Sequence, residues 1–280
     1  MRALSLASFL LLLGLVPPAG AEVLKGVSAL QGGTTQAQGF LRATPVNGDP
    51  LTEQLDVWMT LPHLTTPINH YQVEMTKPLH MIIVSDDFKN FFHIHPTLSG
   101  GHFRITQKFP APGTYLVYSD ALPNDMNHQV FCFKLDVGHA SAPSQRTLPN
   151  TGMGVQVGPY EVDLSTVRLH SGRMEMVDVS VLENGKPAKD LHPYLGAPAH
   201  AVFLNTKDLS YVHVHPMGAD MMNMAMDMSK PTPELPDNAS VSGDMMLHIA
   251  LREAGTYKLW LQFRGANDKL YVAEFTIQAS

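Results

Sequence analysis

The feature that most constrains the fold of this chain is an internal repeat. At an offset of 120 residues, segment 77–96 aligns without a gap with segment 197–216, and five of the twenty positions are identical. The identical positions are three histidine pairs and two proline pairs: His80 and His200, His93 and His213, His95 and His215, Pro78 and Pro198, Pro96 and Pro216. A chain that carries one pattern twice is expected to fold as two similar units.

The repeat continues beyond the prolines at an offset of 142 residues. The tripeptide "GTY" begins at Gly113 in the first copy and at Gly255 in the second. The change of offset places 22 additional residues in the second copy, after Pro216. The predicted organisation is a first domain at 22–138, a linker at 139–151, and a second domain at 152–280 with a methionine-rich insertion at 217–242.

Each copy consists of short alternating or β-branched runs separated by turn residues. Examples are "LDVWMTL", "LHMIIV", "FRITQKF" and "VFCFKLDV" in the first copy. Runs of this length without helical segments between them are typical of antiparallel sandwiches or barrels. We predict an all-β fold of two tandem antiparallel β-sandwich domains, immunoglobulin-like or cupredoxin-like, that arose by internal duplication.

The first 21 residues have the composition of an export signal. Arg2 supplies a positive charge, an apolar run extends from Leu4 to Val16, and small residues precede a cleavage site after Ala21. We expect a periplasmic or secreted protein without membrane insertion after signal removal. Nucleic acid is excluded as a partner because the formal net charge is −6 and no basic cluster is present. Cys132 is the only cysteine, so no internal disulfide can form.

The three histidines of each copy are predicted to share one face of a β-hairpin. Side chains alternate along a strand, so His93 and His95 point the same way. With a turn near residues 87–88, His80 lies opposite His95, and His93 lies opposite Ile82. Directly opposed Cβ atoms are about 4.5–5.5 Å apart. Three imidazoles at this spacing can bind one metal ion.

The second copy has the same histidine spacing and predicts an equivalent site. The candidate ligands are therefore one triad in each domain: His80, His93 and His95, and His200, His213 and His215. The alternative is a set of structural histidines, each hydrogen-bonded through one ring nitrogen. Packing alone would retain volume and apolarity at these positions rather than imidazole, so we favour metal binding.

The insertion in the second copy contributes a different type of ligand. Six methionines fall within twelve residues: Met217, Met221, Met222, Met224, Met226 and Met228. Thioethers are soft ligands that suit Cu(I). The alternative is an adaptable apolar surface used in packing or partner binding. Interleaved Asp, Asn and Ser residues favour an exposed loop, so we include these methionines as candidate copper ligands.

A histidine and methionine mixture on a β-sandwich behind an export signal resembles bacterial periplasmic copper-handling proteins. The paired "KPLH…SDD…HIHP" hairpin also resembles poorly characterised secreted bacterial proteins that carry this element. The cupredoxin electron carriers match less well, because no methionine follows Cys132 and His139 at their spacing. The cupins also use an HxH pair, but their carboxylate is missing after "HIHP".

We therefore expect an exported metal-binding protein that binds, sequesters or delivers copper, with zinc and nickel as alternative ions. A periplasmic metal-delivery or efflux protein is the partner that this function implies. No catalytic constellation is visible, so a histidine-ligated metalloenzyme ranks below a structural or protein-interaction module without metal. With ordinary imidazole pKa values, metal affinity should fall as the pH drops towards about 5–6.

Overall fold

The structure, a computed structural model, describes residues 22–31, 34–138, 145–149, 152–218 and 234–280. In the first repeat the strands are β1 (Val23–Lys25), β2 (Val27–Ser28), β3 (Gln38–Val46), β4 (Asp49–Thr60), β5 (His80–Ser85), β6 (Phe91–Ile94), β7 (Thr97–Ser99), β8 (His102–Lys108), β9 (Gly113–Ala121) and β10 (Gln129–Val137). In the second they are β11 (Gly154–Val157), β12 (Tyr160–Leu164), β13 (Arg168–Leu169), β14 (Glu175–Glu183), β15 (Lys186–Pro187), β16 (Ala199–Asn205), β17 (Tyr211–Val214), β18 (Met217–Gly218), β19 (Asp244–Ile249), β20 (Gly255–Arg264) and β21 (Leu270–Ala279). A 3-10 turn at Ala266–Asp268 separates the last two strands. The predicted signal segment 1–21 and most of the predicted linker lie outside the described residues.

Each repeat forms two sheets that pack face to face. Sheet I has the order β1-β3-β4-β8-β7 and sheet II the order β2-β10-β9-β5-β6. In the second repeat, sheet III has the order β13-β21-β20-β16-β17, and sheet IV has the order β11-β12-β14-β19-β18 with β15 beside β14. The strand pairs are antiparallel apart from β13 with β21. The predicted all-β fold of tandem sandwiches is confirmed.

Three apolar cores separate the four sheets. One lies between sheets I and II and contains Met81 and Ile83 of β5. A second lies between sheets III and IV and contains Phe203 of β16. The third joins the repeats, because Ile82 of β5 and Val202 of β16 belong to the same buried cluster. Sheets II and III therefore pack against each other, and the molecule is a stack of four sheets.

The third core explains the burial of the two histidine-bearing strands. Every residue of β5 and of β16 is buried, although a sandwich strand normally exposes alternate residues. One face of each strand packs in its own sandwich, and the other face packs on the opposite repeat. His80 and His200 lie on the faces that meet between the repeats.

Both histidine hairpins have the predicted register. In the first, Ile82 pairs with His93, and in the second, Val202 pairs with His213. A slip of one residue would have turned the histidines of β6 or β17 to the other face.

Polar contacts also fix the two repeats against each other. The phenol of Tyr118 donates to the Leu209 carbonyl at 3.1 Å, and the Lys258 ammonium donates to the Phe88 carbonyl at 2.6 Å. Arg146 bonds to Asp86 in the first repeat and to a backbone carbonyl in the second. Among the described residues, no helix is long and apolar enough to cross a membrane.

Candidate metal centre

The two predicted histidine triads meet in one place, between sheets II and III. The ring centroids of His80 and His213, from different repeats, are 5.2 Å apart. Those of His93 and His200 are 5.0 Å apart. Facing nitrogens of these four histidines all lie within 4.8 Å of one another. The sequence predicted one site in each domain, whereas the structure forms a single centre from both.

In the first triad, three ring nitrogens form a compact triangle. His80 Nδ1 lies 3.0 Å from His93 Nε2. His95 Nε2 lies 3.2 Å from the first atom and 3.1 Å from the second. Ligand nitrogens about 2.0–2.1 Å from a tetrahedral ion are about 3.3 Å apart. The triangle therefore has nearly the dimensions of one face of a metal coordination shell.

The second triad has a matching arrangement. His200 Nδ1 lies 3.1 Å from His213 Nε2. The ring centroid of His215 is 4.6 Å from that of each of these two residues. Its Nε2 is buried, and no described residue is hydrogen-bonded to it. A buried ring nitrogen without a partner is costly unless it binds an ion or water.

Backbone carbonyls fix the tautomers of His80 in β5 and His200 in β16. His80 Nε2 lies 3.0 Å from the Glu74 carbonyl oxygen, and His200 Nε2 lies 2.8 Å from the Tyr194 carbonyl oxygen. A carbonyl oxygen only accepts, so each Nε2 must carry the proton and donate. In the neutral ring, Nδ1 is then left with a free lone pair directed into the centre.

Side chains from the opposite repeat fix the other two tautomers. His93 Nδ1 donates to Gln262 Oε1 at 3.0 Å, and His213 Nδ1 lies 3.5 Å from Asp120 Oδ2. Each acceptor comes from the middle strand of the facing sheet, β20 of sheet III for Gln262 and β9 of sheet II for Asp120. The Nε2 atoms of His93 and His213 are therefore also lone-pair donors. Outer hydrogen bonds of this kind typically orient metal-binding histidines.

Bare lone pairs consequently face each other at distances of 3.0 and 3.1 Å. Two acceptor nitrogens this close repel each other unless a proton or a cation lies between them. Deep burial disfavours the proton. The arrangement therefore favours a metal ion.

Burial sets the protonation state of the centre. Burial, and next the neighbouring His213, lower the pKa of His80 to about 4. Burial and the neighbouring His80 lower the pKa of His95 to about 3. Burial likewise lowers the pKa values of His93, His200 and His215. These imidazoles are neutral at physiological pH, as metal ligands must be.

A charged network lies directly outside the centre. Burial alone would lower the pKa of His128, but hydrogen bonds to Asp120 at 2.9 Å and Glu74 at 2.7 Å raise it to about 10. Burial would raise the pKa of Asp120, but hydrogen bonds from His128 and His213 hold it well below its usual range. The Tyr211 hydroxyl donates to the same carboxylate at 3.1 Å. Asp120 is thus a buried carboxylate that can support a nearby cation.

Sequence reasoning missed Asp120, Gln262 and Tyr194 among these outer residues. Asp120 and Gln262 are equivalent at the 142-residue offset, and Glu74 and Tyr194 are equivalent at the 120-residue offset. The sequence did contain a signal for two of them, because Asp120 in "TYLVYSDA" and Gln262 in "TYKLWLQF" are polar residues near the end of a mainly apolar strand. Because the residue types differ between the copies, a search for identical positions passed over them.

One of the predicted methionine ligands lies in sheet IV, and the other five lie outside the described residues. Met217 is in β18 of sheet IV, where it pairs with Met246. Met221, Met222, Met224, Met226 and Met228 lie outside the described residues. Cys132 is free and half-buried in β10. The histidines are the part of the predicted site that the fold brings together, and metal binding by them stays a prediction.

The chain belongs to the family described as Domain of unknown function (DUF8832), which matches residues 46–138 and 155–280. The two matched segments correspond to the two sandwiches, so the family unit includes both halves of the histidine centre. No curated protein matches the chain.

Proposed function

We propose that this is an exported copper-binding protein that holds the ion between its two β-sandwich domains, for sequestration or for delivery to a partner. The observation that carries the proposal is the set of inward lone pairs on His80, His93, His200 and His213. In each of the four rings, the other nitrogen faces an oxygen acceptor of the protein, either a backbone carbonyl or a side chain. The N-terminal segment 1–21 supports export to the periplasm or beyond.

The choice of copper rests on ligand chemistry. The affinity of imidazole nitrogens is higher for Cu²⁺ than for Ni²⁺ or Zn²⁺. Thioethers, which are frequent between Met217 and Met228, suit Cu(I) and bind zinc poorly. Zinc and nickel are the competing ions for the histidines.

The position of the centre favours retention over catalysis. His80, His93 and His200 are 5%, 7% and 1% exposed, so a bound ion has little contact with solvent. A catalytic metal needs an open coordination position and access for substrate. Release from this centre requires that the two hairpins separate, which is a step that a delivery or efflux partner can promote.

A competitive titration tests the proposal. The protein is titrated with Cu(II), Cu(I), Zn(II) and Ni(II) against chelators of known affinity, and the double variant His93→Gln, His213→Gln is titrated in parallel. His102→Gln is the matched control, because His102 is half-buried in sheet I and bonds to Asp56. We expect tight copper binding in the parent and the control, and its loss in the double variant.

Three results would contradict the proposal or its assignment to copper. Binding that survives in the double variant would place the ion elsewhere in the protein. No competitive binding of any of these ions would show that the six histidines serve only in packing, as expected for a structural or interaction module. Preference for zinc over copper would preserve the centre but refute its assignment to copper.

A further inference from the structure

A second group of soft ligands lies on the outer face of sheet IV, whereas the histidine centre lies between sheets II and III. In β19, Met245, Leu247 and Ile249 point into the core between sheets III and IV. The alternate residues Met246 and His248 therefore occupy the opposite face and are half-buried. Because they are two positions apart on one strand, their side chains lie side by side.

Two further methionines lie directly opposite these residues on the neighbouring strands. Met217 of β18 pairs with Met246, and Met176 of β14 pairs with His248. Directly opposed residues share a face and have Cβ atoms about 4.5–5.5 Å apart, and diagonal neighbours remain within reach of long side chains. Met246 and His248 thus lie between Met217 on one side and Met176 on the other, and each has one thioether directly opposite and one diagonal to it. We call these four residues the methionine patch.

The imidazole of the patch has an unused ligand atom. His248 Nε2 is buried, and no hydrogen-bond partner for it exists among the residues that the structure describes. Met176 is 63% exposed, so an ion can reach the patch from solvent. Asp178, which pairs with Met246 on the other side, adds an exposed carboxylate next to the patch.

The first domain provides an internal comparison. In the first domain, the pair equivalent to Met217 and Met246 is Thr97 with Arg104, and the pair equivalent to Met176 and His248 is Gln54 with Thr106. None of the four first-domain residues is a methionine or a histidine, although both faces occupy the same place in the fold. A general need of the fold for apolar residues at these positions would apply to both domains. The soft ligands are therefore a property of the second domain alone.

We propose that the methionine patch is a separate binding site for a soft monovalent ion, physiologically Cu(I). Its ligands are the thioethers of Met217 and Met246 and the Nε2 of His248, with Met176 at the solvent side. The sequence continues from this patch into five more methionines between positions 221 and 228. Those residues are outside the described part of the chain, and the site does not depend on them.

The test uses Ag(I), a redox-inert substitute for Cu(I), and methionine labelled with ¹³C at the methyl group. The background is the variant His93→Gln, His213→Gln, so the result does not depend on the histidine centre. We expect the methyl signals of Met176, Met217 and Met246 to shift together and saturate near one equivalent of Ag(I). The signal of Met153, which is 53% exposed in the same domain, should stay unchanged.

A substitution series completes the test. Met246→Leu conserves volume and should weaken Ag(I) binding at the patch by about tenfold or more, since even outer-shell changes have effects of this size. Met153→Leu should leave the affinity unchanged. Shifts confined to methionines of the insertion, or equal affinity in the Met246→Leu variant, would overturn the proposal. Loss of copper binding at the histidines has no bearing on this outcome, so the two proposals fail separately.

Discussion

Acid should destabilise the metal-free protein at a pH where few carboxylates titrate. In the unfolded chain each imidazole takes up a proton near pH 6.5. In the folded protein the pKa of His80 is lowered to about 4, mainly by burial. Protons therefore bind preferentially to the unfolded state as the pH falls through this window. The contribution of His80 to stability is complete above about pH 6.5 and is lost as the pH approaches 4.

The size of the effect follows from the shift. A difference of about 2.5 pKa units corresponds to about 3 kcal/mol, of which about 2–3 kcal/mol is lost by pH 4.5. His93, His200 and His215 act in the same direction because burial also lowers their pKa values. The total free energy of unfolding of a domain is about 5–15 kcal/mol, so a loss of this size is a large fraction of it and is measurable.

Two shifted groups outside the centre do not change in this window. The pKa of His128 is raised to about 10, so its contribution is complete below about pH 6.5 and stays constant on further acidification. The pKa of Asp120 is lowered, so its contribution is lost only below the ordinary value of about 4. Neither group can mask the loss caused by the buried histidines.

Urea unfolding with a chelator present, at several pH values between about 7 and 4.5, measures the effect. The double variant His80→Asn, His200→Asn should show a smaller loss per pH unit than the parent. His63→Asn is the control, because His63 is exposed on the protein surface, away from the buried histidines, and asparagine suits its positive φ of 66°. This control should leave the slope unchanged. A stability that is constant or rises from pH 7 to 4.5 would refute the assignment of neutral, buried imidazoles.

Three other outcomes are expected. Copper affinity at the histidine centre should change little between about pH 7.5 and 5.5 and fall near pH 4, because the pKa of His80 is about 4 rather than 6.5; a fall centred on pH 6 in a chelator competition would contradict this. Asp120→Asn should lower copper affinity by about 10–100-fold through His213, as measured in the same competition, whereas the exposed Asp136→Asn should not. Lys258→Met should cost about 1–3 kcal/mol in urea unfolding by leaving a buried carbonyl without its donor, and an unchanged midpoint would count against that contact.

The sequence predicted the fold class and the geometry of each histidine hairpin, but it did not predict that the two hairpins pack against each other. Alternation places His93 and His95 on one face because strand geometry is local. Contact between two domains depends on surfaces that are distant in sequence. The runs "HMIIVS" and "AHAVFLN" are nearly continuous apolar stretches of the kind found in strands covered on both faces, but we did not draw that conclusion from the sequence. They did not indicate that each run covers the other.

The same limit explains why the pH expectation from the structure differs from the one drawn from the sequence. Spacing identifies His80 as a ligand candidate but carries no information on its burial, so the ordinary imidazole pKa was the starting point. Burial between two sheets moves that pKa by more than two units. The methionine patch was also hidden from spacing, because Met176 and His248 become neighbours only through strand pairing.

The exchange of acceptors between the repeats explains why a metal centre here needs both of them. Gln262 of the second repeat fixes the tautomer of His93 in the first, and Asp120 of the first fixes His213 in the second. A single domain would present its three histidines on an exposed sheet, with one acceptor missing. Binding an ion to the assembled centre therefore stabilises the docked pair by the binding free energy at the prevailing ion concentration. By the same linkage, a partner that separates sheets II and III would weaken the hold of the protein on its metal.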